Sequence, residues 1–382
     1  MTARGLYTLL FGALMLVTSL SVSSGGAFLL ACAALVCWGF SLLCVLLARV
    51  LCRVTQQLGA SQVTRGGECR YTLRAFLPLP LPIAPLSLRV SLPSGRESEY
   101  LLPLRLLGAT ESDNDFPCPH VGVYPVGVTR LGFSDCFGLF ALSARVRLAP
   151  DMLTVLPRCA QTAPLRFSPG EGETSAAQRA QADRTTPAAP RAWQEGDEMK
   201  RVHWKLSLRR QALMVHTYET PQRPDALILL DCGAPDAPDA LRAAAVDALC
   251  DTCAGILRQL LEQGHIARLP LWGDAPRELS GQDASSLPAM LEALAQERFA
   301  RGDDFSRVLH LASRRMRRTG STVILTTHLT PAVADAAIAL AHMGPHTRLT
   351  LVTAGEPAQE QKQLLHLLLS CGVETTRVAL RG

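Results

Sequence analysis

The chain has 382 residues and a formal net charge of +5, dispersed along its length instead of gathered into a stripe, which argues against a nucleic-acid-binding surface. Hydrophobic residues make up 48% and aromatics only 5%, with mean hydropathy above zero, so apolar segments beyond ordinary soluble cores are expected. The length admits two soluble domains plus an anchor.

Two apolar runs, residues 6–22 and 27–47, open the chain, and each is about long enough to cross a hydrocarbon core of about 30 Å. Ser23-Ser24-Gly25-Gly26 between them leaves room only for a tight hairpin. The competing reading makes the first run a signal peptide with Arg4 as its n-region. It fits less well, because the first run exceeds the usual apolar core of a signal and a second span follows at once. Arg4 precedes the first run, Arg49, Arg53, Arg65 and Arg70 follow the second, and the connecting loop is uncharged. The positive-inside rule then places both flanks in the cytoplasm. Residues 1–57 are therefore expected to be a transmembrane hairpin anchor in the inner or plasma membrane, with the soluble parts cytoplasmic.

Cysteine usage agrees with a reducing compartment. Of twelve cysteines, Cys32, Cys37, Cys44 and Cys52 lie in or beside the second run, and the others form no paired framework. Cys250 and Cys253 are the one close pair, inside a predicted helix 239–263 and away from a helix N-terminus where a thiolate is favoured. No further Cys or His pair stands at zinc spacing.

Residues 58–157 carry short β-forming runs (CRYTLRAFL, LSLRVSL, EYLLPLRLL, VGVYPVGVTRL, RVRLAPDMLTVLP) between Pro, Gly and polar turns, the pattern of a small all-β sandwich. Within it, Asp135 to Phe140, DCFGLF, reads as a turn followed by two aromatics that plug one end of the sandwich, a structural corner. From 158 to 190 the composition shifts to Ala, Thr, Ser, Gln, Gly and Pro without periodicity, and a flexible linker is expected.

Residues 191–219, RAWQEGDEMKRVHWKLSLRRQALMVHTYE, hold the densest mixture of charge and aromatics in the chain. Gly196-Asp197 supplies a turn and a helix N-cap, and Met199, Val202 and Leu206 form one apolar stripe on a short helix that leads into a strand. Trp204 is expected to anchor that helix against the sheet, with Asp197 capping and pairing with nearby Arg or Lys. A functional reading of Asp197, Arg201 and His203 as an acid/base or anion site stands beside this structural one.

The remainder alternates strand and helix: DALILLD, a helix 239–263, IARLPLW, two helices, STVILTTH, a helix 331–342, TRLTLVTA, a helix 357–370 and VETTRVAL. That alternation predicts an α/β domain with a mostly parallel, doubly wound sheet. Ligands of such sheets sit at the carboxyl ends of the strands, where Asp231, Thr326, Thr327 and His328 fall. No Walker loop, GxSxG or HExxH occurs.

The 191–219 segment followed by ALILLD resembles the signature of the domain of unknown function fifty-eight family. The matching positions are Arg191, Trp193, Gly196, Asp197, Arg201, Val202, His203, Trp204, Lys205, Ser207 and Glu219. The hairpin, the β domain with its SDCFGLF and the α/β domain are similar to that family's layout. The resemblance implies a membrane-anchored protein with a von Willebrand factor A-like domain in 191–382, working with a MoxR-type AAA+ ATPase. The family has no established reaction. A metal-binding A domain carries Asp-x-Ser-x-Ser after its first strand, and here Gly233 and Pro235 stand in place of both serines after Asp231, with Thr327 and His328 on the neighbouring loop. A hard cation wants more oxygen ligands than that. The expectation is a degenerate metal site, no cofactor, and a non-enzymatic adaptor. The alternative is a metal-dependent or acid/base hydrolase using Asp231 or Asp197 with His203.

Overall fold

The structure is a computed structural model. It describes the chain apart from residues 1, 23–24, 94, 96, 104–107, 147, 167–190, 194–201, 216–224, 273–275, 300–303, 315–318 and 381–382. The chain divides into two compact units, Met1–Arg158 with Leu291–Gln296, and Cys159–Met290 with Glu297–Gly382.

The first unit opens with helices α1 (Ala3–Val22) and α2 (Gly25–Leu51), both long and apolar enough to cross a membrane. They pack through small residues. Gly5, Gly12 and Ser19 are the buried positions of α1, one every second turn, and a Cβ on Gly12 would lie 3.3 Å from Leu35. The outer faces carry exposed Leu10, Phe11, Leu14, Leu20, Phe28, Leu29, Val36 and Phe40, an apolar surface that water does not tolerate and lipid does. Val45 and Ala48 at the base of α2 belong instead to the core of the β domain.

That domain has strands β1 (Arg53–Leu58), β2 (Gln62–Thr64), β3 (Glu68–Leu77), β4 (Leu86–Ser91), β5 (Glu97–Leu102), β6 (Gly108–Pro117), β7 (Gly122–Ser134), β8 (Ala141–Arg145) and β9 (Asp151–Leu156). One sheet runs β1-β3-β6 and the other β2-β9-β7-β4-β5, with β8 added on β7. Both line a single core, Tyr71, Leu73 and Ala75 from β3 meeting Leu88 and Val90 from β4, Val126 and Val128 from β7, and Leu153 and Val155 from β9. The two-residue alternation that suggested strands is the burial pattern observed in β3 and β4. β1 begins at Arg53, inside the range read as anchor, because its backbone completes the β3 edge.

The DCFGLF corner fastens the hairpin to this domain. Asp135, 2% exposed, accepts hydrogen bonds from the Phe137 amide (3.1 Å) and the Phe140 amide (2.7 Å). Burial raises the pKa of this carboxyl, but hydrogen bonding, led by the Phe140 amide, outweighs it and holds the pKa below the usual carboxylate value. Phe140 meets Trp38 of α2 edge to face at 5.0 Å, Thr2 donates through its hydroxyl to the Gly138 carbonyl (2.6 Å), and the Trp38 indole donates to the Gly5 carbonyl (3.1 Å). Only one of the two aromatics is a plug: Phe137 is 57% exposed.

The second unit contains β10 (Arg191–Ala192), α3 (Trp204–Arg210), β11 (Met214–Val215), β12 (Asp225–Leu230), α4 (Asp239–Glu262), β13 (Ile266–Leu271), β14 (Arg277–Gly281), α5 (Leu287–Gln296, which passes into the first unit's share), α6 (Phe305–Ser313), β15 (Thr319–Thr326), α7 (Pro331–His342), β16 (His346–Thr353), α8 (Gln359–Ser370) and β17 (Glu374–Ala379). Its sheet has the order β14-β13-β12-β15-β16-β17. Five strands are parallel and β14 is antiparallel to β13, so the sheet is mixed. Leu227, Leu229, Ile324, Leu349 and Leu351 face α6, α7 and α8, while α4 covers the other side. Cys250 and Cys253 are fully buried in α4; burial raises both thiols well above the ordinary thiol value, which makes them core side chains and poor nucleophiles.

The stretch 159–166, expected to be the start of a loose linker, is fixed on this unit. The Ala160 amide donates to the Asp251 carbonyl (3.2 Å) and the Thr162 hydroxyl to Gln259 (3.2 Å). The Arg348 guanidinium, 3% exposed, donates to the carbonyls of Ala163 (2.9 Å) and Pro164 (2.6 Å) and pairs with Glu374 at 3.0 Å. Residues 167–190, the rest of the expected linker, lie outside the described residues.

Candidate functional site

Two places in the second unit hold the residues singled out from the sequence. The first is the crest of the sheet, where β12 and β15 end side by side. The chain leaves β12 outward to one side and β15 to the other, so this is the switch point at which open α/β sheets bind ligands. The Asp231 amide continues the ladder by donating to the Leu325 carbonyl (2.9 Å), which fixes its side chain above the strand ends. Its carboxylate is 8% exposed; Oδ1 accepts from the Gly233 amide at 2.9 Å and Oδ2 from the Thr326 hydroxyl at 2.6 Å. Thr326 Oγ1 in turn accepts from the His328 amide (3.0 Å), and Thr327 Oγ1 accepts from the Asp236 amide (3.3 Å). His328 Nδ1 stands 3.7 Å from Asp236 Oδ2, both side chains about half exposed. Asp236 is not singled out by the sequence within the loop 231–238, since nothing local ties it to a loop so far away in the chain.

The residues at this crest do not fit a hard divalent cation. Gly233 and Pro235 offer no side-chain oxygen, and both Asp231 oxygens are engaged by donors of the chain itself. Among the described residues no group of three or more His, Cys, Asp or Glu is placed to hold a metal. What the crest presents is a carboxylate locked in place by its own loops, with Asp236 and His328 on the surface.

The second place is the signature segment. β10 pairs with β11, Arg191 opposite Val215 and Ala192 opposite Met214, and the Trp193 amide donates to the Leu213 carbonyl (2.8 Å). Val202 is extended and bridges to Val215, so the expected single helical stripe Met199, Val202 and Leu206 is corrected at Val202, which strand pairing claims; Leu206 lies on the helix Trp204–Arg210, and Met199 lies outside the described residues. His203 is the N-cap of that helix, with Nδ1 accepting from the Leu206 amide at 3.3 Å. Ser207 is the buried centre of the segment. Its hydroxyl donates to the His203 carbonyl (3.0 Å) and accepts from the Met214 amide (2.9 Å), tying helix to strand. Gly196, Asp197, Arg201 and Glu219 lie outside the described residues. The expectation for Trp204 is overturned. It is 58% exposed, and Ser207 is the buried residue of α3. Lys205 is exposed beside it.

No curated protein matches the chain. Among solved structures, the sporulation control protein Spo0M from Bacillus subtilis is similar at 15% identity and a TM-score of 0.18, covering 28% of this chain and 49% of its own. Cwp6 from Clostridium difficile is similar at 10% identity and a TM-score of 0.22, covering 85% of this chain and 49% of its own. The chain thus spans about half the length of these two structures. Residues 189–361, which hold both the signature segment and the crest, match the family described as "Protein of unknown function DUF58", and this part of the chain belongs to that family.

Proposed function

We propose that the protein is a membrane-anchored, cytoplasm-facing adaptor. In this reading a von Willebrand factor A-like domain holds a MoxR-type AAA+ ATPase at the bilayer, for assembly or maturation of a client or envelope complex. The strand order, with the first parallel strand in the centre and an antiparallel edge, supports the A-like reading. The apolar faces of α1 and α2 support the anchor, and the arginines at their flanks support the orientation. The observation that carries the adaptor over the hydrolase is the state of Asp231. Its carboxylate is consumed by Gly233 and Thr326, so it holds loops in place and is not poised to move a proton or bind a metal. His203 supports the same choice, since its Nδ1 caps α3.

The crest loops 231–238 and 326–330 are then the docking surface. Co-purification of the full chain with the ATPase from detergent-extracted membranes, against a variant carrying Asp236→Lys and His328→Glu, tests this. Recovery with the parent chain and loss with the variant is expected. Equal recovery from both removes the crest from the proposal, and no recovery from either removes the ATPase.

A further inference from the structure

We infer that the outward face of α3, with Trp204 and Leu208 in one line and Lys205 and Arg209 in the next, is a contact site for an anionic phospholipid surface. Trp204 is 58% exposed and Leu208 80%, and they stand four residues apart on one helix face. Lys205, Arg209 and Arg210 are exposed around them, and the helix, WKLSLRR, contains no acidic residue. The orientation is not free to reverse, because Ser207 is bound inward to His203 and Met214.

Exposed apolar side chains alone would leave the occupant open; the charge decides it. An indole and a Leu bordered by cations is the pattern of helices that lie at a headgroup boundary, where Trp prefers to sit and basic groups meet lipid phosphates. So short a patch binds weakly by itself. Each cation near an anionic leaflet is worth about fivefold in partitioning. The same chain carries two helices long and apolar enough to cross a membrane, so the surface is met at high effective concentration and weak contact suffices. The inference rests on the membrane anchor of the proposed function and is independent of the ATPase.

The test uses the full chain in vesicles whose lipids are brominated near the top of the acyl chains, with phosphatidylcholine alone or with added phosphatidylserine. The difference in emission between the parent and Trp204→Phe isolates Trp204, and that between the parent and Trp38→Phe isolates Trp38 inside α2. Quenching of Trp38 in both lipid mixtures is expected, with quenching of Trp204 only when phosphatidylserine is present, lost in Lys205→Glu/Arg209→Glu and in high salt. Trp38 quenched with Trp204 unquenched overturns the contact while leaving the anchor. Trp38 unquenched overturns both. Equal quenching of Trp204 without phosphatidylserine removes the basic residues from the site. Protection of Trp204 from acrylamide only on adding purified ATPase assigns the face to a protein partner and overturns the lipid.

Discussion

Gly255→Ala decides between two opposite expectations. In the interior of a helix, Gly is less favourable than Ala by about 1 kcal/mol, so on local grounds the substitution stabilises α4. In the folded unit a Cβ at 255 would overlap the Ala160 carbonyl, which is backbone and has no rotamer to yield. The strap 159–166 must move. Overpacking of this kind costs about 1–3 kcal/mol. Displacement also weakens the bonds from Ala160 to Asp251 and from Thr162 to Gln259, and takes two carbonyl acceptors from buried Arg348. Bonds to a charged group contribute about 1.5–3 kcal/mol each, so even partial loss exceeds the helix gain. The expected result is a net destabilisation of about 2 kcal/mol. Denaturant unfolding of the full chain in micelles measures it, with hydrogen exchange of the amides in 159–165 as the local readout. A variant that is more stable than the parent, with unchanged exchange in the strap, refutes the reasoning.

Trp204→Ala should change unfolding stability by less than about 1 kcal/mol, since more than half of the side chain is already in water, against about 3–5 kcal/mol for truncating a large buried aromatic; thermal unfolding distinguishes the two. Thr326→Val removes the hydroxyl donor from a carboxylate that is 8% exposed and should cost about 1.5–3 kcal/mol in denaturant unfolding. Burial lowers the pKa of His346, Glu374 opposes this, and Arg348 and Arg166 reinforce it. With the folded pKa below the unfolded one, the unfolded chain binds more protons. Stability is therefore full above about pH 6.5 and falls as pH drops through the unfolded and then the folded pKa. His346→Gln should flatten that part of a stability–pH curve measured from pH 7.5 to 5.

The alternation of strand and helix from β12 onward was readable because central strands are buried on both faces, and the apolar runs ALILL in β12 and VIL in β15 carry that burial. Strand β14, RELSG, was missed for the converse reason: it is an edge strand with one fully buried residue, so its sequence carries almost no apolar signal. Asp231 and Thr326 were placed correctly at the crest, since strand ends follow from the runs themselves. Their mutual hydrogen bond was not readable, because it joins side chains 95 positions apart.

Trp204 and Ser207 show why the signature segment misled. An aromatic in a dense motif reads as a core anchor, and a serine reads as a turn; the structure exchanges the two, burying the small hydroxyl that satisfies two backbone groups and leaving the ring outside. Size and polarity alone do not settle that exchange, because a small polar group with partners on both sides is cheap to bury. The strap left a different kind of trace. A glycine in the middle of a 24-residue helix and an arginine in a strand buried along nearly its whole length are both local rule violations. Each is costly where it stands, and one distant segment accounts for both. Residues 159–166 need the space that Gly255 leaves, and they supply the carbonyls that Arg348 requires. Two misfits on separate elements thus point to a third element that crosses them, even where its own composition reads as a linker.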